Sequence, residues 1–213
     1  DWMRDTLISF EGLFLVTRRF DNAKKVLQHC IRDIKFGLIP NTYSEDDYRP
    51  LYNSVDASLL FFEQVKKYLQ YTDNYEFVMD EIYGKLENII ENYAKGIELY
   101  DNNIYMDIDG LISSGTENTQ NTWMDAKYAG IAVTPRNGKA VEINAMWYNA
   151  LKIMQELALK KGEKEKAKKY EKMANKTKNS FETKFYNKRR KCLYDVLGDN
   201  KIRPNQLFAL SLS

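Results

Sequence analysis

Two kinds of helical stretch alternate along this chain. Residues 7–16 (LISFEGLFLV) are apolar almost all round, which predicts a helix buried on most sides. The next stretch sets Ala23, Val26, Leu27, Cys30, Ile31 and Ile34 at the spacing of a helix buried along one face. The pair then recurs. Residues 55–69 (VDASLLFFEQVKKYL) are mostly apolar, and after the turn signal Thr72-Asp73-Asn74 one face carries Val78, Ile82, Leu86, Ile89, Tyr93 and Ile97. A third pair runs over 140–159 and a Lys-rich stretch from about 163 to 183, whose inner side carries Ala167, Tyr170, Ala174 and Phe181. A fourth buried-type helix is expected from RPNQLFALSLS (203–213). Strand signals are almost absent, with LYDVLG (193–198) the one short candidate. The predicted fold class is all-α: buried helices alternating with one-faced helices, as an inner ring wrapped by an outer ring of helical hairpins requires.

The starts of the buried-type helices carry more than capping residues. They read Asp1-Trp2-Met3-Arg4-Asp5-Thr6, Tyr52-Asn53-Ser54-Val55-Asp56, Arg136 to Asn144, and Arg203-Pro204-Asn205-Gln206. Asp5, Thr6 and Asp56 are each good N-caps, and Pro204 is ordinary near a helix start. Capping does not explain Arg, Glu and Trp recurring at the same end. In a ring of alternating up and down helices those ends converge, so Arg4, Asp5, Asp56, Glu142, Asn144, Arg203 and Asn205 are expected around one cup. Trp2, Trp123 and Trp147 are expected near its wall. Such a lining suits a polyhydroxylated ligand, because polar edges bond hydroxyls while aromatic faces take the apolar face of a sugar.

Between the second and third pairs lies a polar run, NTQNTWMDAKYAG (118–130), with one acidic residue, Asp125. A lone carboxylate beside a Trp is a setting that raises a carboxyl pKa and keeps a general acid protonated near neutral pH. The structural alternative is a turn cap or a pair with Lys127. Asp107-Ile108-Asp109 is better explained as a turn before Gly110 than as a metal motif, and the Lys-rich run as the solvated face of an outer helix.

Composition narrows the partners. The chain has 213 residues, 44% hydrophobic, enough for one sizeable core. Its 32 basic and 30 acidic residues nearly balance, which argues against nucleic acid or an anionic membrane as partner. Cys30 and Cys192 have no metal-ligand spacing, and the single histidine, His29, sits on a helix surface, so neither a metal site nor a cofactor is expected. No apolar run is long enough to span a bilayer, and a reducing cytoplasmic setting follows by default. The start at Asp1 without Met points to a piece of a longer protein.

Motifs in order along nearly the whole chain give a more specific reading: WMRDTLISFEGLFLVTRRF, GLIPN (37–41), YNSVDAS (52–58), DGLISSG (109–115), TWMDAK (122–127), TPRNGKAVEINAMWYNAL (134–151), CLYDV (192–196) and RPNQLFALSL. Together they resemble the glucosidase domain of glycogen debranching enzymes. The resemblance implies an (α/α)6 toroid that hydrolyses the α-1,6-linked glucose at a branch point of glycogen or a limit dextrin, without a cofactor. It places the general acid on Asp125, in the TWMD motif. Arg4 and Asp5 match the W-x-R-D motif of glucoamylase-like enzymes, which grips hydroxyls of the non-reducing-end glucose. Trp123, Lys127, Arg136, Glu142 and Asn205 fall in family motifs lining the same cup, and with Trp2 and Asp56 from the helix starts they make up the expected substrate-binding set.

The chain departs from the family pattern in length. It supplies about three and a half of the six expected hairpins, so residues 1–213 correspond to the N-terminal part of the domain. The family's catalytic base, a Glu near the domain's C-terminus, has no match here. The expectation is that the full-length parent is the enzyme, that these residues alone have little or no activity, and that apolar surface is left open. Two other readings stand beside this one: a carbohydrate-binding or scaffold module without catalysis, and a helical-repeat interaction protein with no shared cup.

Overall fold

A computed structural model of the chain describes residues 2–99 and 102–212; Asp1 and Ser213, at the ends of two predicted segments, lie outside them. The fold is mostly helical. Helix α1 (Met3–Phe10) runs directly into a π-helical stretch, Glu11–Leu15, and α2 (Phe20–Arg32) returns beside it. Helix α3 (Ala57–Thr72) stops at Asp73, whose left-handed φ of 51° ends the ladder. Asn74 then caps α4 (Tyr75–Phe77) by accepting from the Phe77 N–H at 3.2 Å. A π-helical stretch (Val78–Ile82) joins α4 to α5 (Tyr83–Lys95). Helices α6 (Val141–Lys161) and α7 (Lys164–Lys184) form a long hairpin turned at Gly162, with φ of 83°.

The alternation read from the sequence is the organising feature. Helix α3 packs on α1 and on α6, and α6 packs on the C-terminal turn, so the buried-type helices stand in a row. The one-faced helices back this row: α2 and α5 show it Leu27, Cys30, Leu86, Ile89 and Tyr93, all buried. Leu59 to Phe62 of α3 are buried together, as are all the residues from Val141 to Trp147 of α6. Trp147 is wholly buried, stacked on Tyr93 with centroids 6.1 Å apart, and donates from Nε1 to Gly110 O at 3.3 Å. It is a core residue and does not reach a cup wall.

Several expectations differ from the structure. The first helix, apolar nearly all round, is covered on one side only: Leu7, Phe10 and Leu15 are buried, while Ile8, Leu13 and Val16 are 58%, 54% and 62% exposed. Of the fourth predicted helix, residues 203–212 form a 3-10 turn (Pro204–Leu207) followed by α8 (Phe208–Ser211), with Asn205 their buried residue. Among the described residues strands are present as four small antiparallel pairs: β1 (Thr42–Tyr43) with β2 (Pro50–Leu51), β3 (Tyr105–Met106) with β4 (Ile112–Ser113), β5 (Lys127–Tyr128) with β6 (Ile131–Ala132), and β7 (Tyr186–Asn187) with β8 (Cys192–Leu193). Two-residue strands are too short for a period-2 pattern to register in sequence. The expected helix caps are also placed otherwise. Asp56 occupies the N-cap position of α3, but Ser54 Oγ accepts the Ala57 N–H at 3.0 Å in its stead. Asp5 lies in the first turn of α1, and the Thr6 hydroxyl donates to Trp2 O at 3.0 Å.

Asp107–Gly110 is a turn. Ile108 N donates to Asp107 Oδ1 at 2.6 Å and Leu111 N to Asp109 Oδ1 at 3.0 Å. Lys139 bridges both carboxylates at 2.6 and 2.7 Å, and Lys184 reaches Asp109 at 2.6 Å. Among the described residues no three His, Cys, Asp or Glu side chains gather as a metal site requires, and no helix is long and apolar enough to cross a membrane.

Candidate active site

The starts of α1 and α3 meet because GLIPN and YNSVDAS are pinned between them. Met3 N donates to Asn41 O at 2.7 Å and Arg4 N to Asn41 Oδ1 at 3.2 Å, while Ile39 N donates to Ser58 Oγ at 2.8 Å. Gly37 makes the approach possible: its φ is 74°, and a Cβ there would stand 2.7 Å from Asn92 Cβ. These ties bring Arg4 against Asp56. Arg4 Nε donates to Asp56 Oδ1 and Oδ2 at 3.0 and 2.9 Å, and Ser54 Oγ donates to Asp56 Oδ1 at 2.6 Å.

The same guanidinium reaches the polar loop. Arg4 Nη1 donates to Asp125 Oδ2 at 2.9 Å across 121 residues of sequence. Burial works against the Arg4 charge, but Asp56 and Asp125 outweigh it and hold its pKa above the ordinary value. Asp125 does not sit in an apolar pocket, as its place behind Trp123 suggests; its side chain is 39% exposed and paired with Arg4. Lys127 is not its partner, since Lys127 Nζ donates to Asn118 O at 3.3 Å.

Arg4, Asp5, Asp56 and Asp125 line one cleft of about 520 Å³ together with Trp2, Trp123, Ile8, Leu60, Met146 and Phe208. Asp56 is buried, with both oxygens occupied, whereas Asp5 is exposed and faces the cleft. Arg4 Nη2 is buried and has no hydrogen-bond partner among the described residues. The cleft therefore combines carboxylates, a held guanidinium and exposed indoles, the groups that bind and work on a hydroxyl-rich ring.

Arg136, Glu142 and Asn205, expected to line the cup, are buried behind it. Arg136 grips Glu142 with Nη1 and Nη2, the latter at 2.6 Å, and gives Nε to Asp195 Oδ2 at 2.8 Å. Burial opposes the Arg136 charge too, and the two carboxylates raise its pKa above the usual value. Asn205 Nδ2 donates to Asp195 Oδ1 at 2.6 Å, which turns its Oδ1 to accept the Trp123 Nε1–H at 2.8 Å. Arg203 Nη1 adds a bond to Asp195 Oδ2 at 2.7 Å. These residues position Trp123 from beneath. Asn144 is likewise structural, holding Ile112 N at 2.7 Å and Ala140 O at 2.9 Å. A ring of helix starts brings all of them to one end, but depth decides which reach the cleft.

Asp195 is the site residue that the sequence reading missed. It is buried at the centre of the network, and its carbonyl accepts Val141 N–H at 2.9 Å, tying the segment to the start of α6. The available signal was a lone carboxylate inside the apolar run Leu193-Tyr194-Asp195-Val196-Leu197.

Fold and cleft together define a helical-hairpin domain with a carboxylate-guanidinium site flanked by aromatic rings. Residues 1–213 match the family described as Amylo-alpha-1,6-glucosidase, and the chain belongs to that family. It is similar to the glycogen debranching enzyme of Saccharomyces cerevisiae, 31% identical over 73% of this chain and 13% of that protein, so the chain spans a small part of this curated relative's length. In fold it is similar to the GH78 family rhamnosidase of Bacillus sp. GL1, with a TM-score of 0.57 at 14% identity, covering 81% of this chain and 16% of that one.

Proposed function

We propose that this chain forms part of a glycoside hydrolase that removes α-1,6-linked glucose at branch points of glycogen or a limit dextrin, with Asp125 as general acid. The observation that carries the reading is Arg4, held by Asp56 and donating to Asp125 at the edge of an aromatic-walled cleft. Because Asp125 Oδ2 accepts from Arg4, Oδ1 is the oxygen left to face the glycosidic oxygen and deliver the proton. It passes to the glycosidic oxygen as the bond from C1 breaks, and a water activated by a second carboxylate completes the bond to C1. Asp56 does not serve as that base, because Arg4 and Ser54 already occupy its oxygens. Following the family resemblance, we place the base in the remainder of the parent protein and assign Arg4 and Asp5 to the hydroxyls of the terminal glucose. Trp2 and Trp123 take its faces. The row of α1, α3 and α6 backed by α2, α5 and α7 is consistent with an arc of an (α/α)6 toroid.

The test is glucose release from a branched limit dextrin by the full-length protein and its Asp125→Asn variant. The reading expects release by the first, loss of turnover in the second, and sugar binding kept by both. Binding of malto-oligosaccharide with no glucose release from the unaltered protein would favour a carbohydrate-binding module. Equal loss of binding and rate in Asp125→Asn would make Asp125 a structural residue.

A further inference from the structure

The loop that carries Asp125 is held by side chains rather than by its own backbone. Residues 122–125 lie in no helix or strand, and among the described residues they make no backbone–backbone hydrogen bond. The three side chains ahead of Asp125 are tied to buried groups. Thr122 Oγ1 accepts from Arg136 Nη1 at 3.2 Å, Trp123 Nε1 donates to Asn205 Oδ1 at 2.8 Å, and Met124 Sδ accepts from Asn205 Nδ2 at 3.4 Å. Both holders end on one carboxylate. Asp195 accepts from Arg136 Nε at 2.8 Å and from Asn205 Nδ2 at 2.6 Å, whereas Glu142 binds Arg136 alone. Asp195 is itself fixed. Its side chain is fully buried, its carbonyl accepts the Val141 N–H at 2.9 Å, and Leu197 N donates to Lys139 O at 3.0 Å.

We infer that Asp195 is a positioning residue for the reaction, aiming the loop of the proton donor through Arg136 and Asn205; the inference rests on Asp125 being that donor. The need is one of distance. A proton passes to a glycosidic oxygen only within hydrogen-bond reach, and a misplacement of about 1 Å in a reacting group can cost about a hundredfold in rate. Asp125 stands two residues beyond Trp123, at most about 7 Å along the chain, so a slip of the held segment reaches its carboxylate. Arg4 bonds Oδ2 of Asp125 alone, which does not by itself fix where Oδ1 points. A carboxylate suits the anchoring role because its two oxygens accept from a guanidinium and an amide at once. It also orients that amide, drawing the Asn205 nitrogen to itself and leaving the oxygen for Trp123. Supporting groups of this kind keep a reacting side chain in its productive geometry without touching the substrate.

Two substrates separate aim from folding. A glucosyl-branched malto-oligosaccharide needs its leaving oxygen protonated, whereas the fluoride of α-glucosyl fluoride leaves without protonation. A loss of folded protein lowers both rates together and leaves their ratio unmoved. In the full-length protein, Thr122→Val cuts one arm and Asn205→Ala the other. Each is expected to lower kcat on the branched substrate, relative to the fluoride, by about tenfold, and the double variant by about a hundredfold. Asp195→Asn, which removes the anchor of both arms at a cost in stability, is expected to match the double variant. An unchanged ratio in the double variant would overturn the assignment. Asp125→Asn, run alongside, reports on the underlying reading: a proton donor's loss spares the fluoride and abolishes cleavage of the branched substrate. Equal loss on both substrates in Asp125→Asn would refute that reading and the positioning role with it. A collapsed ratio there beside an unchanged ratio in the double variant would refute the positioning role alone.

Discussion

Asp195→Asn tests the network beneath the cleft. Each oxygen of this buried carboxylate already faces donors: Oδ2 accepts from Arg136 Nε at 2.8 Å and Arg203 Nη1 at 2.7 Å, and Oδ1 from Asn205 Nδ2 at 2.6 Å and Arg136 Nη2 at 3.1 Å. An amide in its place turns an N–H₂ toward N–H donors in either orientation. It also leaves Arg136 and Arg203 with Glu142 and Asp199 as their remaining anions. Removing one partner of a buried ion cluster costs about 3–5 kcal/mol, well above the roughly 1 kcal/mol of a single neutral hydrogen bond. Asn205, freed from Asp195, no longer keeps its oxygen toward Trp123, so the cleft wall loosens along with the fold. The assay is urea unfolding of the full-length protein read by pulse proteolysis within this segment, with Trp123→Phe as the control that alters the indole alone. Asp195→Asn is expected to lower stability by about 3–5 kcal/mol and Trp123→Phe by about 1 kcal/mol. A loss below about 1 kcal/mol in Asp195→Asn would refute the claim that this carboxylate holds the network together.

Other outcomes follow from single features. Gly37→Ala combines a φ of 74° with a Cβ 2.7 Å from Asn92 Cβ, so it is expected to cost about 1–3 kcal/mol and to lower the melting temperature measurably. Trp147→Ala empties the stacked core position against Tyr93 and is expected to cost about 3–5 kcal/mol, with Trp147→Phe well below that in the same melt. Burial alone would raise the Asp109 pKa, but hydrogen bonds from Lys139 and Lys184 override it and hold the pKa at about 2. A carboxyl whose folded pKa lies below its unfolded value, about 3.9, stabilises the fold above that value and loses the contribution as pH falls toward 2. Lys139→Met is therefore expected to flatten the decline in stability between about pH 4 and pH 2, and an unaltered slope would remove Lys139 from this role.

How much of this was legible beforehand depends on the distance over which each feature is decided. The one-faced helices were legible residue by residue: Ala23, Leu27, Cys30 and Ile31 are buried as their spacing requires, and so are Val78, Ile82, Leu86, Ile89 and Tyr93. Ile8, Leu13 and Val16 read the same as Leu7 and Phe10 in sequence, because apolar character states what a side chain prefers and not whether a neighbour arrives to cover it. The polar helix starts were legible as a group. Their division into a cleft set and a buried set was not, because Arg4 and Arg136 have the same side chain and differ only in what surrounds them.

The sequence by itself determined the helical periodicity, the order of buried and one-faced helices, and the presence of carboxylates, guanidinium groups and indoles at helix starts. These follow from local spacing along one chain. Only the tertiary structure decided that Arg4 joins Asp56 to Asp125 and that Asn205 and Asp195 support Trp123. Those contacts join residues as far apart as 121 positions, and hydrogen bonds select partners by distance and angle in space, which no periodicity along the chain encodes.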